Sequence, residues 1–234
     1  RGAEVVAKVQ RPTLDEAHCL ERGTVLVSPL QPAQSAELLA ALAGQGVTAL
    51  ALKKVPRITR AQSMDVLSSQ ASVAGYKAVL LGAVHLARLM PMLTTAAGAI
   101  TPAKAFVVGA GVAGLQAIAT ARRLGAVVSA FDVRAAAREQ VQSLGAKFVA
   151  NELVSAGAEA AGGYAKEQAA DEQQRTLQAI GAVLPGMDMV ITTAAIPGRP
   201  APRLITADMV ATMKPGSVIV DISAESGGNC ELTK

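Results

Sequence analysis

Aromatic side chains are nearly missing from this sequence: it has no Trp, two Tyr and three Phe in 234 residues. That leaves no stacking platform for single-stranded nucleic acid. Hydrophobic residues nonetheless make up 51% of the chain, so the core has to be built from Ala, Val, Leu and Ile, which suits a close-packed α/β interior and excludes disorder. Cysteine is scarce as well. Cys19 and Cys230 have no metal or redox spacing, which points to free thiols in a reducing compartment and to no metal site. Of the two histidines, His18 stands beside Cys19 in a polar segment and His85 lies within a helical pattern, so both read as structural. The net charge of +4, with a pI near 9.3, is spread over interleaved acids and bases. It describes solvated faces with a few phosphate contacts, not a nucleic-acid surface. Long apolar runs are missing too. The longest uncharged stretches, 89–103 and 105–121, are short for a membrane span and are broken by Pro or Gly, so no transmembrane segment is predicted.

What is present is an alternation of short apolar strands and helical patterns. Strands are predicted at Val5–Val9, Val25–Val27, Thr48–Leu52, Ala105–Val108, Ala126–Phe131, Lys147–Val149, Met189–Thr192 and Ser217–Ile222. Helices are predicted near 33–44, 70–90, 112–124, 134–144, 165–183 and 206–213. Buried strands separated by helices of this length are the pattern of parallel sheets with crossover helices. The predicted fold is therefore α/β, with two Rossmann-like, doubly wound parallel-sheet domains joined by a long helix. Residues 1–69 form a partial first domain ending in a polar loop, 70–100 the linking helix and connector, and 101–234 a nucleotide-binding domain. The sequence opens without Met inside a strand-like run and stops after a Gly-Gly-Asn turn. It reads as a piece of a longer chain, cut at both edges, with the first domain incomplete.

The chemistry begins at a glycine-rich turn. Ala105 to Val108 reads as a strand, Gly109-Ala110-Gly111-Val112-Ala113-Gly114 matches G-x-G-x-x-G, and an apolar helix follows from Leu115. In such a turn the first glycine makes the bend, the second lets backbone approach a pyrophosphate, and the third permits helix–strand packing. The helix N-terminus adds free N–H groups and the positive end of its dipole. The motif alone is weak in a chain this rich in Ala and Gly, but the next strand ends at Asp132, 18 residues past Gly114. A carboxylate there accepts hydrogen bonds from an adenosine ribose and repels a 2′-phosphate, which selects NAD over NADP. Val133 and Arg134 follow it, and Arg134 and Arg138 are able to bind a 2′-phosphate, so charge alone leaves NADP open.

Several stretches together resemble one family. Pro-Arg-Ile-Thr-Arg-Ala-Gln-Ser-Met-Asp (56–65), Ser-Ser-Gln (68–70), Ala-Gly-Tyr (74–76), the run 108–121, Ala-Gly-Gly-Tyr-Ala-Lys-Glu (161–167) and the stretch from Ile191 to Gly228 resemble the NAD(H)-binding component, domain I, of proton-translocating nicotinamide nucleotide transhydrogenases. By position, the resemblance implies that Arg57, Gln62 and Asp65 contact the nicotinamide end of NAD(H), with Ser68 and Tyr76 nearby. An Arg–Asp couple supplies the donors and acceptors that a carboxamide needs, and a neutral Gln is able to bridge to a second dinucleotide. The plainer reading of 57–76 is a solvated polar loop. Gly163 and Tyr164 would belong to a loop that closes over nucleotide, or else to a flexible connector. Thr193, Ala194 and Ala195 follow a strand's carboxyl end, where α/β sheets place ligand contacts, or else form an ordinary strand-end turn.

The resemblance implies direct hydride transfer between NADH on this chain and NADP+ on a partner domain, with proton translocation by a membrane domain. It also implies a homodimer peripheral to the cytoplasmic face of the bacterial inner membrane, or to the matrix side in a eukaryote. Two alternatives remain open. An alanine-dehydrogenase-type enzyme needs a positioned acid or base, yet the stretch where that relative carries its histidine reads Leu26-Val27-Ser28-Pro29-Leu30-Gln31 here. Lys8 occupies the place of its substrate-binding lysine, and is otherwise a surface charge at a strand end. A non-catalytic NAD(H)-sensing module is the third reading.

Overall fold

The computed structural model describes residues 2–32, 35–56, 58–150, 153, 168–196 and 199–234. Contacts divide the chain into two compact units, residues 1–69 and 70–234. In the first, strands β1 (Val5–Ala7), β2 (Val25–Ser28) and β3 (Thr48–Ala51) form a parallel sheet in sequence order. Parallel neighbours need crossovers, and these are α1 (Leu14–His18) and α2 (Ala36–Gly44). Helix α1 is absent from the predicted elements, because five residues carry no periodicity. Its start is nevertheless written in Thr13 and Glu16: the Glu16 N–H donates to the Thr13 hydroxyl at 3.2 Å, and the Thr13 N–H donates to the Glu16 carboxylate at 2.8 Å. Ala17, Leu26, Leu30, Leu38 and Leu42 close a small core. Lys8 forms an ion pair with Glu16.

The polar stretch after β3 holds two 3-10 turns, Leu52–Lys54 and Thr59–Met64, and then helix α3 (Val66–His85) begins. The predicted start near residue 70 is corrected to Val66. Asp65 is the physical reason: its carboxylate accepts the Ser68 N–H at 3.0 Å, an N-cap bond, and the Ser68 hydroxyl at 2.6 Å. Polar Ser68, Ser69 and Gln70 are thus first-turn residues of a capped helix. The predicted end at 90 is likewise shortened to His85.

In the second unit five parallel strands lie in the order β10 (Val218–Asp221), β9 (Met189–Thr192), β6 (Lys104–Val108), β7 (Val127–Phe131), β8 (Lys147–Phe148). Helices α4 (Val112–Arg123), α5 (Ala135–Ser143), α6 (Ala170–Val183) and α7 (Ala207–Ala211) connect them. Alternate residues of the central strands enter different cores. Ala105, Val107, Met189 and Ile191 pack with Val79, Ala117, Ile118 and Val141, while Phe106, Val108 and Val190 pack with Ile180, Leu184 and Ile205. Both faces are covered, which is why these strands read as unbroken apolar runs. An antiparallel hairpin, β4 (Leu93–Thr95) and β5 (Gly98–Ile100), is a further element that the sequence does not announce. Its residues are all exposed and carry no alternation.

Within this unit, helix α3 comes close to α4 through glycine. A Cβ on Gly75 would lie 2.1 Å from the Ala113 carbonyl oxygen, in the first turn of α4. Gly75→Ala is therefore expected to push α3 and α4 apart and to cost about 1–3 kcal/mol, as overpacking does. A thermal melt of the full-length chain checks it, and an unchanged midpoint would show that the approach is looser than this.

Candidate functional site

The sheet register builds one edge. Val108 pairs with Phe131 on one side and Thr192 on the other, and Thr192 pairs with Asp221. The residues that follow, Gly109, Asp132 and Thr193, therefore emerge side by side at the carboxyl ends of adjacent strands. Strand order runs from β6 outward through β7 and β8, then returns on the other side through β9 and β10. The switch point lies between β6 and β9, where doubly wound sheets bind ligands.

At this edge the three glycines differ. Gly109 has φ +95, which favours glycine, and a Cβ there would meet the Thr193 hydroxyl at 2.7 Å and the Ala194 nitrogen at 3.1 Å. Gly114 lies against the turn itself, its added Cβ only 1.8 Å from the Gly109 carbonyl oxygen. Gly111, the N-cap of α4, has an ordinary φ of −75 and nothing within 4 Å of an added Cβ. Packing requires the first and third glycines; the second faces open space. The first backbone donor paired inside α4 from this end is Leu115, to Gly111 at 2.8 Å, and the N–H groups before it, on Val112 and Ala113, belong to the open helix end. The Ala110 N–H is turned inward instead.

That N–H donates to Asp132 at 2.7 Å, and Asp132 is 6% exposed. The same carboxylate accepts the Arg134 N–H at 2.9 Å and, two-pronged, the guanidinium at 2.9 and 2.7 Å. Asp132 and Arg134, predicted as opposing determinants of ribose and phosphate, are one ion pair. Four bonds occupy the lone pairs of the carboxylate, so a ribose diol would have to share or replace those of the guanidinium. Val133 joins the two residues in the chain and packs at the rim of the core.

Across the turn, the Thr193 N–H donates to the Val108 carbonyl at 2.9 Å, and its hydroxyl to the Gly109 carbonyl at 3.0 Å. Thr193 thus stitches the loop after β9 to the glycine turn, and Ala194 and Ala195 continue that loop. No pattern in the sequence announces the group behind it. The Ala194 carbonyl accepts both the Ser223 hydroxyl and the Asn229 side-chain amide, each at 2.9 Å. Asp221 holds that group in turn, accepting N–H groups of Ser223 at 3.0 Å, Asn229 at 2.7 Å and Cys230 at 3.1 Å, and the Thr233 hydroxyl at 2.7 Å.

Burial raises the Asp221 pKa, but the hydrogen bonds from Thr233, Cys230 and Ser223 outweigh it and hold the carboxyl below its usual 3.8. A depressed pKa contributes stability in full above the unfolded value, and that contribution is lost as pH falls through the folded one. Stability should accordingly hold from neutral pH down to the ordinary carboxylate range and decline below it. Asp221→Asn should flatten that acid limb in urea melts taken at stepped pH, and an unaltered limb would contradict the assignment.

In the first unit, Gln62 lies on the exposed 3-10 turn Thr59–Met64, whose one buried residue is Ala61. Asp65 and Ser68 cap α3, and Tyr76, on α3 within the second unit, is 48% exposed. Arg57, Gly163 and Tyr164 lie outside the described residues. Among the described residues there is no cluster fit for a metal and no helix long and apolar enough to cross a membrane.

Family models extend over nearly all of this architecture: "Alanine dehydrogenase/PNT, C-terminal domain" matches residues 78–234 and "Alanine dehydrogenase/PNT, N-terminal domain" residues 1–74. The chain belongs to the alanine dehydrogenase/PNT family. Within that family it is 52% identical to an NAD(P) transhydrogenase subunit alpha of Rhodospirillum rubrum, the first piece of a subunit divided between polypeptides, over 99% of this chain and 62% of that protein. It is 52% identical to NAD(P) transhydrogenase subunit alpha of Cereibacter sphaeroides, over 99% and 45%. Alanine dehydrogenase of Bacillus subtilis is 31% identical, over 98% and 55%. A crystal structure of transhydrogenase from Sinorhizobium meliloti superposes with a TM-score of 0.85 at 50% identity, covering 99% of this chain and 62% of that one. An L-alanine dehydrogenase structure gives 0.75 at 26%, over 99% and 58%. The α/β fold with parallel sheets and the family resemblance predicted from sequence are thus borne out. The chain spans at most about three fifths of the length of these relatives.

Proposed function

We propose that this chain is the NAD(H)-binding component of a proton-translocating transhydrogenase. It would present NADH to NADP+ held on a partner domain, while a membrane domain carries the coupled proton. The observation that carries the reading is Gly111. The fold places no atom within 4 Å of its missing side chain, yet an open N-cap glycine beside free helix N–H groups is what a pyrophosphate needs. The relatives named NAD(P) transhydrogenase, at 52% identity against 31% for alanine dehydrogenase, support the assignment of partner and reaction.

The dinucleotide supplies the hydride, which passes to the second nicotinamide ring with its electron pair and needs no protein acid or base. The chain's own role is positioning and exclusion of water. Gly109 and Gly111 shape the pyrophosphate cradle with Ala110, Val112 and Ala113. Asp132 takes the adenosine ribose, and its pairing with Arg134 leaves the guanidinium fork already engaged, which favours NAD(H) over NADP(H). Thr193, Ala194 and Ala195 line the β9 side. Roles for Arg57, Gln62 and Asp65 at the nicotinamide, with Ser68 and Tyr76 nearby, and for Gly163 and Tyr164 in closure, rest on the resemblance. So do the homodimer and the peripheral location at the cytoplasmic membrane face.

The experiment uses the full-length chain with its partner subunits and follows reduction of an NADP+ analogue by NADH. Transfer is expected, together with tighter binding of NADH than NADPH in a fluorescence titration and slower turnover after Gln62→Ala. No transfer, or undiminished turnover in that variant, would overturn the proposal. NADH oxidation dependent on pyruvate and ammonia would indicate the alanine dehydrogenase reading. Against it, Lys8 is already paired with Glu16.

A further inference from the structure

The loop after β9 is held from behind by an unusual buried group. Asn229 is 0% exposed, and its Nδ2 donates to two backbone carbonyls, Ala194 at 2.9 Å and Pro202 at 2.8 Å. Because both partners accept only, the amide orientation is fixed. Its Oδ1 is buried with no partner, and leaving such an atom unpaired is unfavourable. An apolar residue would avoid that cost, so the two donated bonds are what Asn229 provides. Around it, Gly228 at φ +78 lets Asp221 approach, since an added Cβ would lie 2.9 Å from the carboxylate. The Asp221 carboxylate then fixes the backbone N–H groups of Ser223 and Asn229, the two residues that grip Ala194.

The consequence falls on the next peptide. No peptide bond is cis, so with the Ala194 carbonyl pulled toward Ser223 and Asn229, the Ala195 N–H points the opposite way. That N–H has no acceptor among the described residues, and neither has the N–H of Ala194, whose nitrogen lies 3.1 Å from the place of a Cβ on Gly109. Two oriented, unpaired donors therefore stand beside the glycine turn. They lie on the β9 side of the switch point, away from Asp132 at the end of β7. A dinucleotide with its adenosine ribose at Asp132 lays its other half across β9.

The geometry points to Asn229, anchored by Asp221, as a positioning residue for the nicotinamide half of the cofactor: by gripping the Ala194 carbonyl it presents the Ala195 N–H as a donor to an oxygen of that half. This rests on the dinucleotide reading of the glycine turn. In the full-length chain, the affinities of NADH and of ADP-ribose, which lacks the nicotinamide, are measured for the wild type, Asn229→Ala and Ser223→Ala. NADH should weaken about five- to ten-fold in Asn229→Ala, the worth of one hydrogen bond, and by a smaller factor in Ser223→Ala, which keeps one of the two grips. ADP-ribose should change by less than about two-fold in either, as its half meets the other side of the turn. Proportional weakening of both ligands would reduce Asn229 to a structural role and overturn the assignment, as would no change in either. If Asn229→Ala does not fold, the NADH to ADP-ribose ratio in Ser223→Ala decides alone. A wild type that binds neither ligand would instead overturn the dinucleotide reading itself.

Discussion

Gly114→Ala is expected to destabilise the second unit by about 3 kcal/mol or more, at the upper end of what overpacking costs. The added methyl carbon would lie 1.8 Å from the Gly109 carbonyl oxygen and 3.2 Å from the Thr193 hydroxyl. Neither neighbour is the free end of a flexible chain. The Gly109 carbonyl also accepts the Thr193 hydroxyl, so a shift breaks the stitch between turn and loop. The carbonyl and helix α4 would have to separate, and Ala117 and Ile118, both fully buried on that helix, would be drawn out of the core. At about 2–4 °C per kcal/mol for a domain of this size, the melting midpoint of the full-length chain should fall by roughly 6–12 °C. Binding of NADH should fall with it, because the same movement splays the open donors of the helix end. A midpoint within about one degree of wild type, well outside that range, would mean that the turn has slack absent from this geometry.

How much of this site is written in the sequence depends on how locally each element is specified. The strand–turn–helix around Gly109 is legible because one short segment contains both the apolar run and the glycines. Met189–Thr192 has the bounds predicted for it, since a four-residue run buried on both faces has little room for error. Asp132 stands at the end of its strand as predicted, but its partner is not legible. That Arg134 folds back onto the carboxylate depends on the turn between β7 and α5, whereas the sequence presents the two side chains as separate influences. Asp65 stands out in the sequence for its chemistry, and its visible work is to cap α3. The Asp-x-x-Ser spacing signals that role, and the polar first-turn residues hide it. Asp221, Ser223 and Asn229 are beyond the reach of sequence reading. Their meaning comes from Ala194, 35 residues away from Asn229, and arises only where β9 and β10 end side by side.

Gly111→Ala is the complementary experiment, because here structure and ligand make opposite demands. The backbone at φ −75 is ordinary for alanine, and an added methyl would touch no protein atom within 4 Å. Exchanging glycine and alanine at an N-cap changes stability by only about 1 kcal/mol or less, so the unliganded melt should scarcely move. The same methyl would occupy the space through which a pyrophosphate reaches the N–H groups of Val112 and Ala113, with no neighbour to rearrange and make room. Affinity for NADH is expected to drop about a hundredfold, equivalent to roughly 2.7 kcal/mol. A saturating ligand raises stability in proportion to the logarithm of its concentration over Kd, so the variant should also lose most of the upward shift that NADH gives the wild-type melt. The two readouts separate cradle from scaffold. A variant that melts like wild type and still binds NADH tightly would show that the pyrophosphate does not lie over Gly111. A variant that melts early would show that this glycine, like Gly114, is held by the fold.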